Sequence, residues 1–111
     1  MENNTIQFSM QNFNDWQILS ILGRIDTITA NLAETTAMEI LSTHTKLALD
    51  LSDLDYISSA GLRVLLRLAK KAKTQQKSFT LVNPQGLVKE ILEESGLDIL
   101  FTTVKTIEEL T

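Results

Sequence analysis

The segment from Leu47 to Lys73 constrains the fold more than any other part of the chain. It opens with the apolar run Leu47–Leu51, which predicts a short buried strand. A polar turn follows at 52–55, and a helix is then expected from a serine pair to about Gln75. One face of this helix is apolar at helical spacing, and comprises Leu62, Leu65, Leu66, Ala69 and Ala72. Strand ends followed by helix starts carry functional loops in open α/β sheets, so the serine turn is the candidate site.

The serine turn has the composition of a helix start. Ser58 is suited to the N-cap position, where its side-chain oxygen can accept from free amides of the first turn. Ser59 would then be the first helical residue, with its hydroxyl directed outward. A glycine such as Gly61 lowers the stability of a helix by roughly 1 kcal/mol relative to alanine. Close approach of another group to the backbone would explain why a glycine occurs at this position. The pair can serve as a cap alone, or it can also accept a phosphate, which the partial positive charge of a helix N-terminus favours.

The remaining patterns predict strands that alternate with helices after an initial hairpin. The expected order is β-β-α-β-α-β-α-β-α, in one domain over 1–111, with a mixed sheet of four to five strands and helices mainly on one face. The predicted strands are 5–10, 16–22, 47–51, 77–82 and a short strand or turn at 97–101. The predicted helices are 31–42, 58–75, one with Pro84 at its first position that ends at Gly96, and one capped by Thr106 that runs through Leu110. We expect the following side chains to be buried together: Ile18, Leu49, Leu62, Leu65, Leu66, Leu81 and Ile91.

Composition excludes several classes of function. The 111 residues contain no cysteine and a single histidine, His44, so we expect no metal site, no cofactor and no thiol chemistry. The net charge of −4 argues against nucleic acid and anionic membrane surfaces as partners. Residues 1–4 lack a signal-peptide pattern and no apolar run could span a bilayer, so we expect a cytoplasmic protein. Ser59 has neither a nearby histidine base nor the glycine of a nucleophile elbow, so we expect no catalytic activity.

Two stretches resemble the signature of the STAS domain, and more narrowly that of the bacterial anti-sigma factor antagonists. They are Leu49–Leu54 and Tyr56–Leu66, with Gly23-Arg24-Ile25-Asp26 as a weaker match to the family's Gly-x-x-Asp. In that family the turn reads Asp-Ser-Ser-Gly or Asp-Ser-Thr-Gly, and the serine after the aspartate is phosphorylated by the anti-sigma factor. The resemblance places that phosphorylation site on Ser59, with Ser58 as the lesser candidate. Ser58 stands where the family has aspartate.

The resemblance implies a phosphorylation-switched protein that binds an anti-sigma factor serine/threonine kinase and so frees a sigma factor. A serine phosphatase would reactivate it. Two other functions remain open, namely a STAS regulatory subunit of a transporter or sensory assembly, and a small-molecule-binding STAS domain. The residues expected to contact the partner are Asp26, Ser58, Ser59, Gly61, Arg63, Val64 and Arg67.

Overall fold

The computed structural model describes residues 6–111, so residues 1–4 and Thr5, the first residue of the expected first strand, lie outside the described part. The strands are β1 (Ile6–Phe13), β2 (Trp16–Ile25), β3 (Lys46–Asp50), β4 (Leu54–Ile57), β5 (Ser78–Val82) and β6 (Thr102–Val104). The helices are α1 (Ala30–Thr43), α2 (Ser59–Thr74) and α3 (Gly86–Glu94), with 3₁₀ turns at Leu97–Leu100 and Ile107–Glu109. The predicted α/β fold with a mixed sheet is confirmed.

The sheet is built around β2, the longest strand. β1 pairs with β2 antiparallel as a hairpin, and the order β1-β2-β3-β5-β6 is parallel from β2 onward. The first half of β2 pairs with β3, and its second half pairs with β4. Within the pairing with β4 the register shifts between Gly23, whose φ is +99°, and Arg24. β3 and β4 therefore lie end to end beside one long strand, which brings the end of β4 next to the end of β2.

The strand β4 corrects two expectations. The polar turn expected at 52–55 is shorter than predicted and only links β3 to β4. Leu54 is buried and already belongs to β4. β2 likewise continues past Gly23 to Ile25, since β4 supplies its parallel neighbour there. The sheet thus has six strands in place of the four to five expected.

The helices cover one face of the sheet, as expected. Leu49, Leu62, Leu65 and Leu81 belong to one buried cluster with residues of all three helices, and Leu66 and Ile91 pack against it half-buried. Ile18 does not join them, because it points to the opposite face and packs with Trp16, Ala48, Val82 and Leu110. The core is therefore divided by the sheet.

Two segments after β5 also differ from expectation. Pro84 is not the first residue of a helix, because α3 begins at Gly86 with Gln85 as its extended N-cap residue. Asn83, at φ +54°, donates its backbone N–H to Val104 and its side-chain amide to Ser52, which holds the chain along the sheet before α3 starts. Residues 97–100 form a 3₁₀ turn, and the expected C-terminal helix is one 3₁₀ turn.

Candidate functional site around the serine turn

The N-terminus of α2 is fixed to the end of β2. The backbone N–H of Ser58 donates to the carbonyl of Ile25 at 2.8 Å, and the carbonyl of Ser58 accepts the first helical hydrogen bond from Leu62 at 2.9 Å. α1 follows β2 and α2 follows β4, and those two strands are parallel neighbours. Both helices therefore begin at the C-terminal ends of β2 and β4, and the serine turn lies beside the loop that leads into α1.

The two serine hydroxyls have different surroundings. Ser58 is half-buried in extended backbone, and its Oγ accepts from the backbone N–H of Gly61 at 3.3 Å. Its predicted N-cap position is confirmed. Ser59 is the first residue of α2 and is exposed. A phosphate on Ser59 would thus lie in solvent at the positive end of a 16-residue helix, whereas a phosphate on Ser58 would displace the cap.

Asp26, which was expected to contact a partner, also organises the loop before α1. Its Oδ1 accepts from the backbone N–H groups of Ile28 at 2.9 Å and Thr29 at 3.1 Å, and its Oδ2 accepts from Nε of Arg24 at 3.2 Å. Hydrogen bonds from the backbone of Thr29, then from Ile28 and Arg24, lower the pKa of the Asp26 carboxyl group. The side chain is 20% exposed, so part of it is accessible to a partner. Both of its oxygens already accept hydrogen bonds within the loop.

Two residues expected at the partner surface are buried, and those predictions are wrong. Val64 is 1% exposed and belongs to the core between helices and sheet. Gly61 is also buried, and a Cβ at this position would lie 2.6 Å from Cγ1 of Ile57 and 2.8 Å from Cγ2 of Ile25. The group that approaches the glycine backbone is therefore the sheet, not a partner.

The two arginines on the outer face of α2 differ in charge pairing. Arg67 makes a bidentate ion pair with Glu34 of α1, with distances of 2.6 Å from Nε to Oε2 and 2.9 Å from Nη2 to Oε1. The hydrogen bonds lower the pKa of the Glu34 carboxyl group and raise the pKa of the Arg67 guanidinium. Arg63 lies one turn nearer to Ser59, is exposed, and has no ion pair with any of residues 6–111. Among the described residues, Arg63 is thus the charge nearest to Ser59 along α2 that has no ion pair.

Two exposed apolar side chains in the segment that leads from β2 into α1 were missed by sequence reasoning. Ile28 in the loop before α1 is 86% exposed, and Leu32 in the first turn of α1 is 53% exposed. The spacing of Leu32 from Thr36 and Ile40 is typical of a buried helix face, so the sequence carries no signal for its exposure. Ile28 carried a usable signal, because it is an isolated large apolar residue between two threonines in a segment without helical or strand periodicity. We call Ile28, Leu32, Ser59 and Arg63 the serine surface.

Other kinds of site have little support in the described part of the chain. Among residues 6–111 no group of histidine, aspartate and glutamate side chains could hold a metal ion. None of the helices over the same range is long and apolar enough to cross a membrane. A cleft of about 580 Å³ opens between α3 and β6, and its lining includes Asn83, Lys89, Glu93 and Phe101 but neither serine. The arrangement at the serine turn suits modification and docking.

Known proteins resemble this chain over nearly its whole length. A family model described as STAS domain matches residues 7–110. BtrV of Bordetella bronchiseptica, named as a proposed anti-sigma factor antagonist, is 31% identical over 104 residues, which cover 93% of this chain and 90% of BtrV. RsfB of Mycobacterium tuberculosis, named as an anti-sigma-F factor antagonist, is 29% identical over 106 residues, which cover 95% of this chain and 86% of RsfB. A crystal structure of a proposed anti-sigma factor antagonist from Thermotoga maritima superimposes with a TM-score of 0.81 at 25% identity, covering 92% of this chain and 89% of that one.

Proposed function

Because the chain belongs to the STAS domain family and is of the anti-sigma factor antagonist type, we propose that it is a switch protein controlled by phosphorylation of Ser59. In this proposal the unphosphorylated protein binds a kinase-type anti-sigma factor in the cytoplasm and so frees a sigma factor. Phosphorylation by that kinase ends the binding, and a serine phosphatase restores it. The protein itself is regulatory and supplies no catalytic group.

The observation that carries the proposal is the difference in hydrogen bonding and exposure between the two serines. The Ser58 oxygen is held by the amide of Gly61, whereas Ser59 is exposed at the helix start. A kinase needs an acceptor hydroxyl that can reach its nucleotide without unfolding the substrate, and Ser59 meets this condition. Ser58 replaces the family aspartate and retains the capping function that an aspartate would have.

The serine surface supports docking of a partner around the acceptor. Ile28 and Leu32 offer apolar area beside Ser59, and Arg63 offers a positive charge on a chain whose net charge is −4. Interface cores gain from buried apolar side chains, and a rim charge mainly raises the association rate. We therefore propose that the anti-sigma factor presents an apolar patch flanked by acidic residues to this surface.

Release follows from electrostatics at the same contact. A kinase that holds ATP already presents phosphates where Ser59 must dock. A phosphoserine adds about −1.5 to −2 charges at neutral pH, so like charges meet at short range. The contact that positions Ser59 for transfer is therefore weakened by the product of the transfer.

Mass spectrometry of the peptide that spans Ser58 and Ser59, after incubation with the cognate kinase and ATP-Mg, tests the acceptor. We expect phosphate on Ser59 in the wild type and in Ser58→Ala, and no modification of Ser59→Ala. Equal modification of Ser59→Ala would contradict the proposal, as would equal affinity of the phosphorylated and unphosphorylated proteins for the partner. Recovery from native cytosol of a transporter ATPase without any kinase would favour the alternative of a transporter subunit.

Two matched charge reversals test the docking surface. Arg63→Glu should weaken partner binding at low salt, because it reverses the charge nearest to Ser59 along α2. Arg67→Glu makes the same change one turn further along α2 and breaks the ion pair with Glu34. It should lower the free energy of unfolding, and it should weaken partner binding less than Arg63→Glu does. Unchanged affinity of Arg63→Glu would show that the partner docks elsewhere.

A further inference from the structure

The two edges of the sheet differ in how they are protected against pairing with another strand. β6 has only three residues and is followed directly by Lys105. β1 has eight residues, Ile6–Phe13, without any charged residue or proline. Natural edge strands are usually kept short or carry charges, proline or bulges, since an open row of N–H and C=O groups is a template for a further strand. β1 has a regular register with β2 and lacks all of these protections.

The side chains of β1 divide between the two faces in the register given by β2. Phe8 and Met10 lie opposite Ile21 and Leu19, on the face that carries the helices. Met10 is 50% exposed although Leu19 opposite it is fully buried, so the apolar layer between helices and sheet is exposed to solvent along β1. Gln7, Ser9 and Gln11 point to the other face, and all three are exposed.

The sequence of β1 shows which strand would fit. Residues 7–11 read Gln-Phe-Ser-Met-Gln, so polar and apolar residues repeat symmetrically about Ser9. Antiparallel pairing about a twofold axis through Ser9 would set Gln7 opposite Gln11 of the second copy and Phe8 opposite Met10 of the second copy. Amides can then bond to amides, and methionine sulfur can contact an aromatic ring. With no charge on the strand, self-pairing brings no like charges directly opposite each other.

From this symmetry we propose that β1 pairs antiparallel with β1 of a second copy of this chain, with Ser9 opposite Ser9, to form a twofold dimer with one continuous sheet. The surface is separate from the serine surface, because it lies at the β1 edge and contains none of Ile28, Leu32, Ser59 and Arg63. The proposal therefore does not depend on the proposed function.

Sedimentation equilibrium of the full chain over a wide concentration range tests the dimer. Met10→Lys adds a charge beside the axis and should raise the dimer dissociation constant about tenfold or more. Thr103→Lys adds the same charge to the exposed strand at the opposite edge, and should leave the dimer unchanged. A wild type that stays monomeric throughout, or a dimer that Met10→Lys leaves intact, overturns the proposal. Binding of β1 to an extended segment of another protein, with the chain itself monomeric, would also overturn it.

Single cysteines test the register, because the natural chain has none. Residues directly opposite in an antiparallel pair have Cα atoms about 4.5–5.5 Å apart, which a disulfide can span. Ser9→Cys should therefore form a covalent dimer under mild oxidation. Gln11→Cys is a matched control on the same face of the same strand, but its two copies would be offset by four residues, or roughly 13 Å. Cross-linking of Gln11→Cys as readily as Ser9→Cys would overturn the register.

Discussion

At the scale of single residues, two adjacent serines differ in their contacts, because only the Ser58 oxygen accepts from a helix amide. The Ser58 oxygen accepts from Gly61, whereas the Ser59 side chain is exposed beyond the same turn. Position relative to the cap therefore separates a structural hydroxyl from an accessible one. The difference can be measured without knowledge of any partner.

Ser58→Ala should lower the free energy of unfolding by about 0.5–2 kcal/mol, because the helix loses its capping oxygen. Ser59→Ala is the matched control and should change this free energy little, since alanine is a good helix former at an exposed position. Urea denaturation of both variants provides the measurement. A loss in Ser59→Ala as large as that in Ser58→Ala would show that Ser59 also supports the helix.

Asp26→Asn should make the protein less stable at neutral pH, with a difference from wild type that shrinks as the solution becomes acidic. The hydrogen bonds from Thr29, Ile28 and Arg24 lower the pKa of the folded carboxyl group below its unfolded value of about 3.9. The stabilisation is therefore fully present above that value and is lost as pH falls through the folded pKa. Unfolding curves from pH 7 down to about pH 3 would reveal it. A constant difference over this range would contradict the assigned role of the charge.

At the scale of elements, the orientation of α2 is set by its one glycine. Gly61, Leu65, Leu68 and Ala72 are all buried, and their spacing of about one turn places them on one line along the helix. Only a glycine lets the first turn approach Ile25 and Ile57 this closely. In this orientation Val64 is buried while Leu66 is half-buried.

Gly61→Ala should destabilise the protein, although the same change in an exposed helix would stabilise it by about 1 kcal/mol. The added Cβ meets side-chain atoms at 2.6 and 2.8 Å, and such overpacking typically costs about 1–3 kcal/mol. The cost should be smaller in an Ile57→Ala background, which removes the nearest atom. Unfolding free energies of the four proteins in this double-mutant cycle give the measurement. A stabilising effect in the wild-type background would mean that α2 can move away from the sheet.

The sequence was sufficient for most elements, since the hairpin, α1, β3, α2 and β5 follow directly from periodicity and turn residues. It was insufficient for β4, because four residues with the exposed Asp55 among them carry too little pattern to separate a strand from a turn. The same limit applied to the site. The serines and their cap could be predicted from residue types, but the burial of Val64 and the exposure of Leu32 depend on how the helices pack against the sheet.

At the scale of the whole molecule, the proposed phosphorylation of Ser59 requires that the phosphate alter binding without disturbing the fold. Ser59 is exposed where α1 and α2 begin, outside the buried cluster between helices and sheet that forms the core. The added charge falls on an exposed position of a chain whose net charge is already −4, so its main consequence should be outside the folded core. Measurements on the modified protein alone can separate this view from a switch that works by unfolding.

Phosphorylation of Ser59 should leave the protein folded and make it slightly more stable, by about 0.3–1 kcal/mol, because a negative charge at a helix N-terminus is favoured. The second pKa of phosphoserine is about 6, so the gain should be larger at pH 7.5 than at pH 5, where the group carries less charge. Thermal unfolding of the two forms at both pH values measures the gain, and amide NMR spectra locate the change. We expect shifted signals in the first turn of α2 and the loop around Ile28, with the sheet unaffected. A fall in melting temperature, or loss of ordered signals along α2, would mean that the phosphate acts by opening the helix.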